Sequence, residues 1–121
     1  MSPVDAPLAT EIKLRTRSRL LEVTFDDGSR FELPFEYLRV HSPSAEVKGH
    51  GPGQEVLVLG KKNVGIRSVE PVGQYAVKLV LDDGHDTGLY SWKYLYELGR
   101  DREKNWARYV ERRNRVIVPD E

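Results

Sequence analysis

The sequence predicts an α+β fold, a small β-rich domain of short antiparallel hairpins with a helix after the last hairpin and an amphipathic C-terminal helix. Three observations carry this prediction. Alternating apolar residues flank an Asp-Asp-Gly turn twice, at Asp26-Asp27-Gly28 and at Asp82-Asp83-Gly84. Asp-Gly between alternating apolar residues marks a hairpin, because glycine takes a positive φ without steric cost. From Trp92 the apolar spacing becomes helical, through Leu95, Tyr96 and Leu98, and "DREKNWARYVERRN" places Trp106, Tyr109 and Val110 on one helical face.

Residues 1–9, "MSPVDAPLA", have no periodic pattern and read as a mobile arm before a single domain over 10–113. Ile12 and Leu14 alternate with charged residues, as a strand requires. Leu21, Val23 and Phe25 then run out along one strand of a hairpin, and Phe31 and Leu33 return along the other. Pro34 ends that strand because it has no N–H to donate, and "PFEYLRV" fits one helical turn. Residues 41–54, "HSPSAEVKGHGPGQ", read as an irregular loop. "EVLVLG", "VGIRSVEPVG" and "YAVKLVLDDG" read as strands. Gly99 is a candidate helix C-cap or kink, and residues 114–121 form a tail or a short strand.

An internal echo accompanies these elements. "LEVTFDDGSRFELPFEYL" and "VKLVLDDGHDTGLYSWKYL" share a strand, an Asp-Asp-Gly turn, a return strand and an aromatic-x-Tyr-Leu sequence. The pattern fits two hairpin-plus-helix units packed on each other, or hairpin chemistry used twice.

The 121 residues carry 19 basic and 19 acidic side chains, a formal net charge of zero. This balance gives no global electrostatic reason to expect a nucleic-acid or acidic-membrane partner. Without cysteine there is no disulfide, thiolate nucleophile or thiolate metal ligand. No apolar run approaches the roughly 20 residues of a membrane span, and no signal-peptide core is evident. A cytoplasmic monomer of bacterial style is expected.

Few constellations suggest chemistry. The histidines are His41, His50 and His85, and none forms an i, i+4 pair with another. His85 lies in a turn with Asp82, Asp83 and Asp86, where aspartates ordinarily cap backbone N–H groups. A histidine beside a carboxylate can also serve as an acid–base pair. No G-x-S-x-G or Walker A sequence is present. "GKKNVGIR" reads as a solvated basic turn. Trp92 and Tyr96 share one helical face suited to the core, whereas Tyr90 and Tyr94 are expected on the other, free to present their hydroxyls.

The runs "LPFEYLRVHSPSAEVKGHGPGQ" and "IRSVEPVGQYAVKLVLDDGHDTGLYSWKYLYELG" closely resemble the DUF971 family, also called gamma-butyrobetaine hydroxylase-like N-terminal domains. The resemblance covers roughly Glu11 to Arg113 and implies a small α+β module. Such modules occur at the N-terminus of 2-oxoglutarate-dependent hydroxylases and at the C-terminus of some P-loop iron–sulfur scaffold proteins. In the hydroxylases the module resembles a zinc-binding appendage, with ligands from a Cys-Pro-Cys-x-x-Cys run and one histidine. Ser42, Ser44 and Val47 stand at the cysteine positions, Pro43 is kept, and His85 stands at the histidine position. The resemblance therefore implies a degenerate zinc site with no metal or other cofactor, and it predicts that His85 faces Ser42 and Ser44. The catalytic iron and 2-oxoglutarate residues of those hydroxylases lie in a separate domain outside these residues, so hydroxylase activity is not expected.

The leading functional expectation is a non-catalytic interaction or adaptor module with a protein partner, in a specific version linked to iron–sulfur protein assembly. The alternative is a small ligand-binding protein or enzyme with a His85-centred polar pocket. The candidate binding residues are His41, Ser42, Ser44, His85, Asp86, Tyr90 and Tyr94. A third reading has the three histidines and nearby aspartates holding a metal.

Overall fold

The structure, a computed structural model, describes residues 7–49 and 55–117. Strands β1 (Ala9–Arg15), β2 (Leu20–Phe25) and β3 (Arg30–Pro34) form one antiparallel meander. Strands β4 (Ile66–Val72), β5 (Ala76–Leu81) and β6 (Leu89–Ser91) form a second. Helix α1 (Phe35–Val40) follows the first sheet, and α2 (Ala45–Lys48) is a single turn after it. Helix α3 (Trp92–Arg100) follows the second sheet, and α4 (Arg102–Val116) comes last. The fold is the α+β arrangement of hairpins and helices that the sequence predicts.

The internal echo extends to individual hydrogen bonds. Asp27 Oδ1 accepts from the Ser29 N–H at 2.8 Å, and Asp83 Oδ1 accepts from the His85 N–H at 3.0 Å. Asp26 exchanges two bonds with the Leu8 backbone, and Asp82 exchanges the same two with Gly65. Gly28 and Gly84 sit at φ 90° and 91°, the left-handed conformation that closes each turn. Leu21 pairs with Leu33 in one unit and Val77 with Tyr90 in the other. Each unit is therefore a three-stranded meander followed by a helix, and His85 occupies the place that Ser29 holds in the first.

Alternation puts Leu21, Val23 and Phe25 of β2 and Val77, Leu79 and Leu81 of β5 into one hydrophobic cluster with Leu33, Leu38, Leu95 and Leu98. Burying a side chain of this size contributes about 1.5–3 kcal/mol, so the two sheets are held chiefly by this shared core. Ser91 caps α3 by accepting from the Tyr94 N–H at 3.0 Å. The Tyr37 hydroxyl donates to the Leu98 carbonyl and accepts from Asn105, joining α1, α3 and α4.

Several segments differ from expectation. The loop read over 41–54 contains α2, whose N-cap Ser44 accepts from the Glu46 N–H at 3.2 Å. "EVLVLG" is not a strand. It is irregular and tethered from outside, by the Val56 N–H on the Val47 carbonyl and by the Tyr109 hydroxyl on the Val58 carbonyl. Gly99 neither caps nor kinks α3. It lies inside the helix against Phe31 of β3, where a Cβ would strike the ring. Asn114 to Val116 continue α4 where a tail or strand was expected.

Candidate functional site

The turn after α1 and the turn between β5 and β6 meet in a buried polar cluster. Ser42 is 0% exposed and His85 5%. Ser42 Oγ lies 2.8 Å from His85 Nε2, and His85 Nδ1 lies 3.1 Å from Glu46 Oε1. A carboxylate beside an imidazole only accepts, so Nδ1 carries the proton and Nε2 accepts from the Ser42 hydroxyl. Ser42 Oγ also accepts from the Ser44 N–H at 3.2 Å. Thr87 ties the same turns together, 2.7 Å from Ser44 Oγ and 3.3 Å from Glu46 Oε2. The backbone at Gly88 comes so close that a Cβ there would stand 2.6 Å from Ser42 Oγ.

Neighbouring charges fix the turn. Asp83 lies 2.7 Å from Lys61 Nζ and 2.8 Å from Arg39 Nε. Burial opposes ionisation of Asp83, but Lys61, Arg39 and the His85 N–H outweigh it and hold the carboxyl well below the usual aspartate range. Arg39 Nη1 is the buried side-chain polar atom left without a partner among the described residues.

Serine, histidine and glutamate in this order resemble a nucleophile, base and orienting acid. The access does not. Ser42 borders a cavity but is buried, and its Oγ is already bonded to His85 Nε2 and the Ser44 N–H, so its hydroxyl is committed within the fold rather than presented to a substrate carbonyl. The arrangement acts as a lock between two turns.

The resemblance implies that His85 faces Ser42 and Ser44; Ser42 bonds His85 directly, and Ser44 joins through Ser42 and Thr87. Glu46 and Thr87 were not anticipated. The signal available for Glu46 was its place two residues after a serine, suited to the first turn of a capped helix. Asp86 is exposed and takes no part in the cluster among the described residues. Tyr90 is not a free hydroxyl on a helix. It lies on β6, 0% exposed, with its hydroxyl donating to the Leu38 carbonyl, and burial pushes its ionisation far upward. Tyr94 is half-buried and donates to the His41 carbonyl at 2.6 Å. The two rings lie side by side, with centroids 6.2 Å apart, but both hydroxyls are spent on carbonyls, so the expectation of free hydroxyls fails for both tyrosines. His50 lies outside the described residues, and no metal-binding group of acids and histidines occurs among those described.

A concave space does exist, but it opens beside His41. This cavity, about 610 Å³, is lined by His41, Ser42, Val47 and Tyr94 together with side chains of α3 and α4. His85, Asp86 and Tyr90 are not in its wall. Nδ1 of His41 lies 3.0 Å from the Tyr37 carbonyl, which makes Nδ1 the protonated nitrogen. Burial lowers the His41 pKa, the Tyr37 bond opposes this, and Lys48, Arg108 and Arg112 lower it further.

The sequence model for the gamma-butyrobetaine hydroxylase-like, N-terminal family matches residues 12–96. A protein solved by solution NMR is 52% identical, with TM-score 0.83, covering 98% of this chain and 89% of its own. A second NMR structure is 48% identical, with TM-score 0.75, covering 88% and 84%. A crystal structure from Acidithiobacillus ferrooxidans, of a protein of unknown function in the DUF971 family, is 41% identical. Its TM-score is 0.63, and the match covers 75% of this chain and 91% of that one. No curated protein matches the chain.

Proposed function

The chain belongs to the gamma-butyrobetaine hydroxylase-like, N-terminal family, and from that premise we propose that it is a non-catalytic interaction module. The observation that carries this reading is the state of His85. Both ring nitrogens are taken up, by Ser42 and Glu46, and the side chain is sealed from solvent. A general base must reach a substrate proton, and this one faces its own fold.

In the specific version, the module docks on a protein of iron–sulfur assembly. Support comes from the resemblance to modules fused to P-loop iron–sulfur scaffolds, which is an analogy of architecture. Without cysteine the chain contributes no thiolate to a cluster, so the role is docking.

The test is quantitative capture from the cytosol of the source cell, followed by reconstitution with the purified partner. The reading expects a stoichiometric complex with a defined scaffold protein. Recovery of abundant bystanders alone would count against it. So would turnover of an activated ester that is lost in Ser42→Ala.

A further inference from the structure

We infer that the cavity beside His41 binds a small organic anion, a carboxylate or phosphate carried on an apolar body. Val40, Val47 and Leu98 give the cavity an apolar lining, and Lys48, Arg108 and Arg112 border the same space. Arg100 and Asp101 also reach the cavity, but they pair with each other through hydrogen bonds of 3.1 and 3.0 Å. Against the three remaining cations stand two carboxylates, Glu55 and Glu97. The excess charge is positive and borders an apolar surface, the pattern that selects an amphipathic anion.

Two of the cations are positioned in advance. Lys48 Nζ sits 4.6 Å from the centroid of the Tyr94 ring. Arg112 donates to the Glu55 carbonyl at 3.1 Å, which orients the guanidinium without cancelling its charge. Arg108 makes no ion pair among the described residues. A volume of about 610 Å³ falls within the roughly 300–1,000 Å³ typical of small-molecule sites.

His41 supplies an internal reporter. It faces Tyr37 of α1, Lys48 of α2, Tyr94 of α3 and Arg108, Tyr109 and Arg112 of α4, with Glu55 and Glu97 lining the same cavity. A bound anion offsets the cations around the imidazole, so His41 protonates more readily in the complex.

The experiment is an NMR titration of the intact protein with benzoate and with phenyl phosphate, which separates carboxylate from phosphate. Inorganic phosphate tests the bare anion, benzamide the uncharged body, and sodium chloride the ionic strength. The expected result is saturable shifts confined to residues 40–48, 94–98 and 105–112 with benzoate or phenyl phosphate. The His41 titration midpoint should move upward in the same complex. Arg108→Ala should raise Kd at least about tenfold with an otherwise unchanged spectrum, since Arg108 is exposed on α4. Lys48→Met should act in the same direction if Arg108→Ala perturbs the fold. Equal binding of benzamide, equal affinity for bare phosphate, shifts reproduced by chloride, or an unchanged Kd in a folded variant would overturn the assignment.

Discussion

Ser42 Oγ and His85 Nε2 stand 2.8 Å apart although 43 positions separate them in the chain. The serine donates to the imidazole while accepting the Ser44 N–H at 3.2 Å, so its hydroxyl satisfies three buried groups including itself. Ser42→Ala leaves Nε2 and the Ser44 N–H without partners in a sealed site. Each orphaned group costs about 1–3 kcal/mol, so we predict a loss of about 2–6 kcal/mol in urea unfolding. Nitrogen-15 spectra of the wild type should show a proton on His85 Nδ1, held by Glu46. A stability change near zero would mean that the contact is dispensable.

The same contact predicts that a metal site can be rebuilt. Ser42, Ser44, Val47 and His85 are all buried, and the residues from 42 to 47 wrap the turn that presents His85. Ser42→Cys, Ser44→Cys and Val47→Cys together would offer three thiolates and one imidazole, a complete tetrahedral donor set. The triple variant is expected to take up one zinc ion per chain, with cobalt giving thiolate charge-transfer bands. Its melting temperature should rise on metal addition, because a ligand bound to the folded state alone stabilises it. Absence of stoichiometric uptake in a folded variant would show that the four positions no longer converge.

Much of this architecture is readable because its signals are local. Asp26-Asp27-Gly28 and Asp82-Asp83-Gly84 announce their turns through side chains that bond within two residues, and helical spacing around Trp92 needs no knowledge of the rest. What escapes is set by tertiary contact. Tyr90 looked free because a helical face was assumed for a residue inside a strand, and only the packing of β6 against α1 buries its hydroxyl. Glu46 was invisible because its partner lies 39 positions away. The cavity at His41 draws its cations from α2 and α4, with the whole second sheet and α3 between them in the chain. No spacing rule joins such residues.

Gly99 illustrates how the same residue type answers different demands. Within a helix alanine is intrinsically better than glycine by at most about 1 kcal/mol, and Gly99 is the penultimate residue of α3. Here the added Cβ would press on Cβ, Cγ and Cδ2 of Phe31, atoms near the root of that side chain that cannot swing away. Phe31 is itself wedged edge-on against Phe25 and Tyr96. Overpacking of this kind costs about 1–3 kcal/mol, enough to outweigh the helical gain. Gly99→Ala should therefore destabilise the protein in urea unfolding. A stabilised variant would mean that α3 can slide away from β3.

His41 gives a pH dependence whose sign follows from its surroundings. Burial first, and then Lys48, Arg108 and Arg112, depress its pKa in the folded protein below the ordinary value of 6.5. Between those two values the unfolded chain binds the proton and the folded chain does not, so unfolding takes up a proton. The stabilising preference for neutral His41 is complete above the unfolded value. As pH falls below 6.5, stability declines until the folded imidazole also protonates, with a slope of at most about 1.4 kcal/mol per pH unit. Urea unfolding from pH 7.5 to about 5 should show this decline in the wild type and a shallower one in His41→Gln. Millimolar salt of a bound organic anion should reduce the wild-type slope, since the anion raises the folded pKa toward the unfolded one. A slope identical in wild type and variant would assign the proton to a different group.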